Sequence, residues 1–186
     1  MKNIKYSILA LVTITGTIFT SCSSDDDAAP VIVNEEEVIT TLTVTLAPIT
    51  GETITLTSRD LDGDGPDVPV ITVSGNLAAN TTYNGTVVLL NETETPAENI
   101  TTEVEDENLE HQFFYTVGGN LNVTTDNFNS DSGGNVLGTT FNVTTGAAST
   151  GSYTVTLRHE PTKPNTGLAD AGGETDISAT FTVTIQ

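Results

Sequence analysis

From residue 41 the chain alternates strictly. Leu42, Val44 and Leu46 stand between Thr41, Thr43 and Thr45, so an extended backbone puts aliphatic groups on one face and hydroxyls on the other. After Gly51 the pattern returns at Ile54 and Leu56, which predicts a first hairpin. The same period recurs over 69–74, 82–90, 111–117, 120–125, 139–145, 151–159 and 176–185, with Gly, Asn and Asp clusters between the runs. Short strands at this spacing predict an all-β fold, an antiparallel immunoglobulin-like β-sandwich of about seven to nine strands. Threonine suits its outer faces because a β-branched side chain favours extended backbone while its hydroxyl stays wetted. The expected core is Val, Leu and Ile together with Phe113, Tyr115, Phe141, Tyr153 and Phe181. One stretch breaks the rhythm. Residues 98–110 are acid-rich, with Ile100 and Val104 four apart, a spacing that fits either a short amphipathic helix or a solvated loop.

The first residues follow a different rule. Lys2 and Lys5 precede an apolar run over 8–19 that is too short to span a bilayer stably, and Ser21-Cys22 follows it. This arrangement resembles a bacterial lipoprotein signal, in which 1–21 is removed and the Cys22 thiol receives the lipid. Two or three acyl chains, at about 0.8 kcal/mol per buried CH₂, anchor a protein durably. Residues 22–36 then read as a flexible acidic tether: Ser23-Ser24 leads into Asp25-Asp26-Asp27, and Pro30 and the Glu35-Glu36-Glu37 run oppose folding. The Asp run resembles the export signal of surface lipoproteins. The expected place is therefore the outer membrane, lipid-anchored and exposed at the cell surface, with its periplasmic face as the alternative. Residues 37–186 form the expected single sandwich domain.

Charge sharpens this picture by exclusion. The chain carries 25 acids against 5 Lys and Arg, a net charge of −20, and loss of Lys2 and Lys5 takes it to −22. Arg59, Arg158 and Lys163 are then the only basic side chains apart from histidine. Nucleic acid is not an expected partner, because phosphate binding needs cations. A single Cys rules out a disulfide framework, and one Cys with two His rules out a structural zinc finger. There is no G-x-S-x-G elbow and no Gly-rich phosphate loop, and the lack of Trp argues against a sugar cleft, so catalysis is not expected.

Two features could carry chemistry. In Arg59-Asp60-Leu61-Asp62-Gly63-Asp64-Gly65-Pro66-Asp67 the alternating carboxylates resemble the start of a calcium loop, with Asp60, Asp62, Asp64 and Asp67 as candidate Ca²⁺ ligands. Ile71 stands where a bidentate Glu would close an EF-hand, and Asp-Gly is equally a hairpin-turn pair, so both readings stay open. His111 and His159 are the only histidines; brought together near a Glu they could ligate a transition metal or haem, although surface positions at strand ends would serve as well.

His111-Gln112-Phe113-Phe114-Tyr115, Thr156-Leu157-Arg158-His159-Glu160-Pro161 and Ala171-Gly172-Gly173-Glu174-Thr175-Asp176-Ile177 resemble segments of a group of small surface lipoproteins from Flavobacteria and other Bacteroidota. Some members carry a type 1 periplasmic binding fold label. That fold alternates strands and helices in two lobes, and this chain is short and strand-rich. The resemblance implies envelope location and no particular activity. The expected function is a non-catalytic binding protein that captures a ligand or cation for an outer-membrane transporter. The alternatives are a calcium-stabilised adhesive module and a metal- or haem-binding lipoprotein.

Overall fold

The computed structural model describes residues 37–63 and 65–186. The signal region, Cys22, the 22–36 tether and Asp64 lie outside the described residues. Within them, ten strands and two short helices follow in the order β1 (Thr41–Pro48), β2 (Ile54–Arg59), β3 (Val70–Val73), β4 (Thr82–Asn91), β5 (Glu98–Asn99), α1 (Ile100–Asp106), β6 (His111–Gly119), β7 (Val123–Asp126), β8 (Thr140–Thr145), β9 (Ser149–His159), α2 (Leu168–Ala171) and β10 (Glu174–Ile185). The nine expected runs are all strands, and the tenth is the two-residue β5. No alternation could announce so short a strand.

One sheet runs β3-β2-β1-β4-β8-β7, with β5 paired to β4; the other runs β10-β9-β6. Every strand pairing is antiparallel. The order β1-β4-β8-β7 facing β10-β9-β6 is the A-B-E-D and G-F-C arrangement of an immunoglobulin-like sandwich, extended by β2 and β3 beyond strand A. The first hairpin pairs Leu42 with Ser58 and Leu46 with Ile54.

The inward residues of both sheets form one core, including Leu42, Val44, Leu46, Leu56, Phe113, Val155, Leu157 and Phe181. Burying such a side chain contributes about 1.5–3 kcal/mol relative to leaving it exposed. An aromatic cluster joins the two sheets within this core. Tyr115 lies 4.2 Å from Phe141, 5.6 Å from Phe128 and 6.0 Å from Tyr153, measured between ring centres. The buried phenols are satisfied, Tyr115 Oη donating to Gly138 O at 2.6 Å and Tyr153 Oη pairing with Thr125 Oγ1 at 2.8 Å. Gly85 makes room for this packing, since a Cβ there would overlap the Phe141 ring. On the faces turned away from the core, hydroxyls pair across strands, as between the exposed Thr154 and Thr180 at 2.8 Å and the part-buried Thr156 and Ser178 at 2.9 Å.

The acid-rich segment is a helix over its first half. Asn99 caps α1, its side chain accepting from Thr101 N at 3.1 Å, and Glu103 in the first turn suits the positive helix end. Ile100 and Val104 are buried, and Thr101 Oγ1 accepts from Leu89 N at 2.7 Å, which docks α1 on β4. Among the described residues all three Lys and Arg side chains are engaged. Arg59 makes a two-pronged pair with Glu92, at 2.9 and 2.7 Å. Arg158 donates to Gly173 O at 3.2 Å, and Lys163 is buried against Asp131.

Candidate functional site

β6 and β9 are in register residue by residue: Tyr115 faces Val155, Phe113 faces Leu157, and His111 faces His159. The two histidines therefore form the last rung of a ladder whose earlier rungs are core. Both lie on the inward face, and their side chains are 0% and 8% exposed. Their rings stack, with centroids 4.7 Å apart and planes 21° apart.

Two carboxylates close on this pair from elsewhere. Glu37 enters on the segment that leads into β1, and its Oε1 lies 2.9 Å from His111 Nε2. His111 Nε2 and the other Glu37 oxygen, Oε2, are buried without a hydrogen-bond partner. Asp176 arrives through a β-bulge. The β9–β10 register shifts between Thr175 and Ile177, so the residue between them has no counterpart opposite. A bulge re-aims a side chain, and here it brings Asp176 Oδ2 to 3.9 Å from His111 Nε2 and Oδ1 to 4.0 Å from His159 Nδ1. The side chains of Glu37 and Asp176 are 7% and 3% exposed.

One ligand atom from each of Glu37, His111, His159 and Asp176 lies within 4.8 Å of the others, and among the described residues these four are the one such grouping. Four-coordinate zinc, with bonds of about 2.0–2.2 Å to nitrogen and oxygen, places its donors roughly 3.3–3.5 Å apart. The contacts above straddle that spacing. Metal-binding histidines usually give their second ring nitrogen to a carbonyl or carboxylate, which orients the ring. His111 Nδ1 is 3.3 Å from Glu107 O, just beyond α1, and His159 Nε2 is 3.8 Å from Glu110 Oε2. The acidic segment thus backs both imidazoles.

Electrostatics binds the set together. Contact with His111 holds the Glu37 carboxyl below its ordinary range, against the effect of burial. Burial disfavours a proton on His111, but Glu37, Glu107 O and Asp176 together outweigh it and raise the imidazole's pKa. Behind the centre, Lys163 Nζ donates to His111 O at 2.5 Å, to Asn108 O at 2.8 Å and to the buried Asp131 carboxylate at 2.9 Å. One ammonium thereby pins the turn that carries His111.

The Asp60–Asp67 stretch behaves differently. Asp62 organises a turn, its O accepting from Gly65 N at 3.0 Å and its Oδ2 from Asp67 N at 3.2 Å. Asp67 is exposed, and Asp64 lies outside the described residues. Asp60 and Asp62 do meet the histidine centre in one respect: with Leu61 they line a cleft of about 610 Å³ that Glu37 and Asp176 also border. Desolvation and the neighbouring Asp62 raise the Asp60 pKa.

Residues 35–37 read from sequence as part of a solvated acidic run, yet the Glu37 side chain is buried. The partner that draws it in sits 74 positions further along, at His111. Asp176 was hidden for another reason, because a bulge cannot be read from alternation. No protein-family model, curated protein or solved structure is significantly similar to the chain. Among the described residues no helix is long and apolar enough to cross a membrane.

Proposed function

We propose that this protein is a lipid-anchored, non-catalytic binding module of the cell envelope, and that its cargo is a divalent transition-metal ion held by Glu37, His111, His159 and Asp176. The observation that supports this most is the burial of two carboxylates and two stacked imidazoles whose donor atoms lie within 4.8 Å of one another, with Glu37 Oε2 lacking a hydrogen bond. The imidazoles offset part of this buried negative charge, and a divalent ion would neutralise both carboxylates. Two nitrogens and two oxygens suit zinc and its neighbours better than calcium, which prefers six to eight oxygens. Stacked, buried rings also suit an ion better than a porphyrin, which needs an open face beside its iron. Capture for an outer-membrane transporter fits a centre bordering an open cleft.

The test is a zinc titration of the metal-free protein followed by native mass spectrometry. Saturation at one zinc per chain, lost in both His111→Ala and His159→Ala, is the expected result. Undiminished uptake by the double variant would end the reading.

A further inference from the structure

An ion held by Glu37, His111, His159 and Asp176 is enclosed, because the four side chains are 7%, 0%, 8% and 3% exposed. A donor set this closed takes up and gives back its ion only if one donor moves. Three of the four sit on paired strands. His111 and His159 face each other across β6 and β9, and Asp176 lies between Thr175 and Ile177, both paired to β9. The fourth does not. Residues 37–40 lie outside the strands, and among the described residues no backbone hydrogen bond joins 37–39 to another segment.

This segment is fixed at its far end. Thr40 N donates to Leu90 O at 2.9 Å, Thr40 O accepts from Asp60 N at 2.7 Å, and Thr40 Oγ1 accepts from Glu92 N at 2.8 Å. Between this pivot and the centre, Ile39 packs against the core while Val38 is 57% exposed. Glu37 meets His111 through Oε1 at 2.9 Å, and Oε2 has no hydrogen bond to hold it. Residues 37–40 all line the cleft of about 610 Å³, as does Asp176, whereas neither histidine does. The second nitrogens of the imidazoles are turned to Glu107 O and Glu110. A path from solvent to the centre therefore runs through the cleft and past Glu37.

We infer that residues 37–40 are the gate of the metal centre: Glu37 swings into the cleft about Thr40 to admit or release the ion, and closes over it as the fourth donor. This rests on the metal centre proposed above. His111, His159 and Asp176 are the standing part of the site, two imidazoles and a carboxylate, a donor set that holds zinc with one position open. Opening exchanges the Glu37 contact and the Ile39 packing for water, and it breaks no strand pairing. Segments with few buried contacts and few backbone hydrogen bonds are the ones that open locally while the rest of a domain stays folded.

The experiment follows transfer of zinc from the loaded protein to excess 4-(2-pyridylazo)resorcinol by absorbance. In the wild type the rate should level off as the chelator is raised, because opening limits it. Ile39→Ala keeps all four donors and one zinc per chain, and should raise that limit about three- to tenfold. Glu37→Ala should remove the limit, so that the rate climbs in proportion to chelator. Val183→Ala, a core change towards the other end of β10 from Asp176, should leave the limit where it is. A wild-type rate proportional to chelator throughout, a limit unmoved by Ile39→Ala, or equal acceleration by Val183→Ala overturns the gate and leaves the centre standing. Should Glu37→Ala load no zinc, the comparison of Ile39→Ala with Val183→Ala decides. Failure of the wild type to take up zinc overturns both.

Discussion

The 60–67 loop and the histidine centre hold ionisable groups in opposite ways. The loop concentrates its acids within eight positions, and of the described ones Asp62 serves turn amides and Asp67 is exposed. The centre collects one residue from the lead into β1, one each from β6 and β9, and one from a bulge in β10, and buries all four side chains. Dense charge along a sequence is inexpensive to maintain because water screens it. Charge collected in space and taken out of water is costly, and it persists only where geometry supplies compensation. Acid density therefore pointed at the loop, while burial points at the centre.

The largest way to test this contrast lies behind the centre. Lys163→Met leaves the Asp131 carboxylate buried without its ammonium, a change that costs about 3–5 kcal/mol. Urea denaturation checks it, and a loss below about 1 kcal/mol would mean that this backing is as wet as the loop. The next effect is metal-dependent. Free zinc at about 100 times its Kd adds about 2.7 kcal/mol by binding the native state alone. The thermal shift should survive Asp62→Ala plus Asp64→Ala and disappear in His159→Ala. The reverse pattern, or a shift produced by millimolar calcium and removed by the loop changes, would transfer the ion to the loop.

The smallest effect concerns the root of the loop. Arg59, helped by Thr41, holds the Glu92 carboxyl at about 2, below its ordinary 4.5. A depressed carboxyl pKa stabilises the folded chain fully above the ordinary value, and the contribution fades as pH falls from about 4.5 towards 2. Glu92→Gln should flatten the fall of melting temperature across that window. The change is slight, because the Arg59 side chain is 47% exposed and screened. An unaltered slope would assign acid sensitivity to buried groups such as Asp131, whose carboxyl Lys163 and the Asn135 and Gly133 amides hold low against burial.

Alternation alone located nine of the ten strands, because a half-buried strand must repeat every second residue. The spacing of Ile100 and Val104 marked the stretch where α1 lies but fitted a solvated loop as well, and the docking on β4 that decides it is a tertiary contact. The histidines were visible as residues but ambiguous in role. The alternation Tyr153, Val155, Leu157, His159 does place His159 on the core face, and the pairing of β6 with β9 then sets His111 opposite. That pairing is a tertiary fact, since 48 positions separate the two rings. Glu37 and Asp176 were out of reach of any local pattern: one is drawn inward by a distant imidazole, the other turned by an extra residue in a strand.

The engagement of Arg59, Arg158 and Lys163 carries one further consequence. Proteases that cut after lysine or arginine must thread several residues of extended, unpaired chain through their clefts. Over residues 37–186 they meet three such bonds. One follows Arg158, inside a strand paired on both sides; one follows Lys163, whose side chain is 7% exposed and precedes a proline; and one follows Arg59, at the mouth of the acidic loop. Digestion by such enzymes has a single entrance. When such an enzyme nicks the domain, the nick is expected at the edge of the cleft.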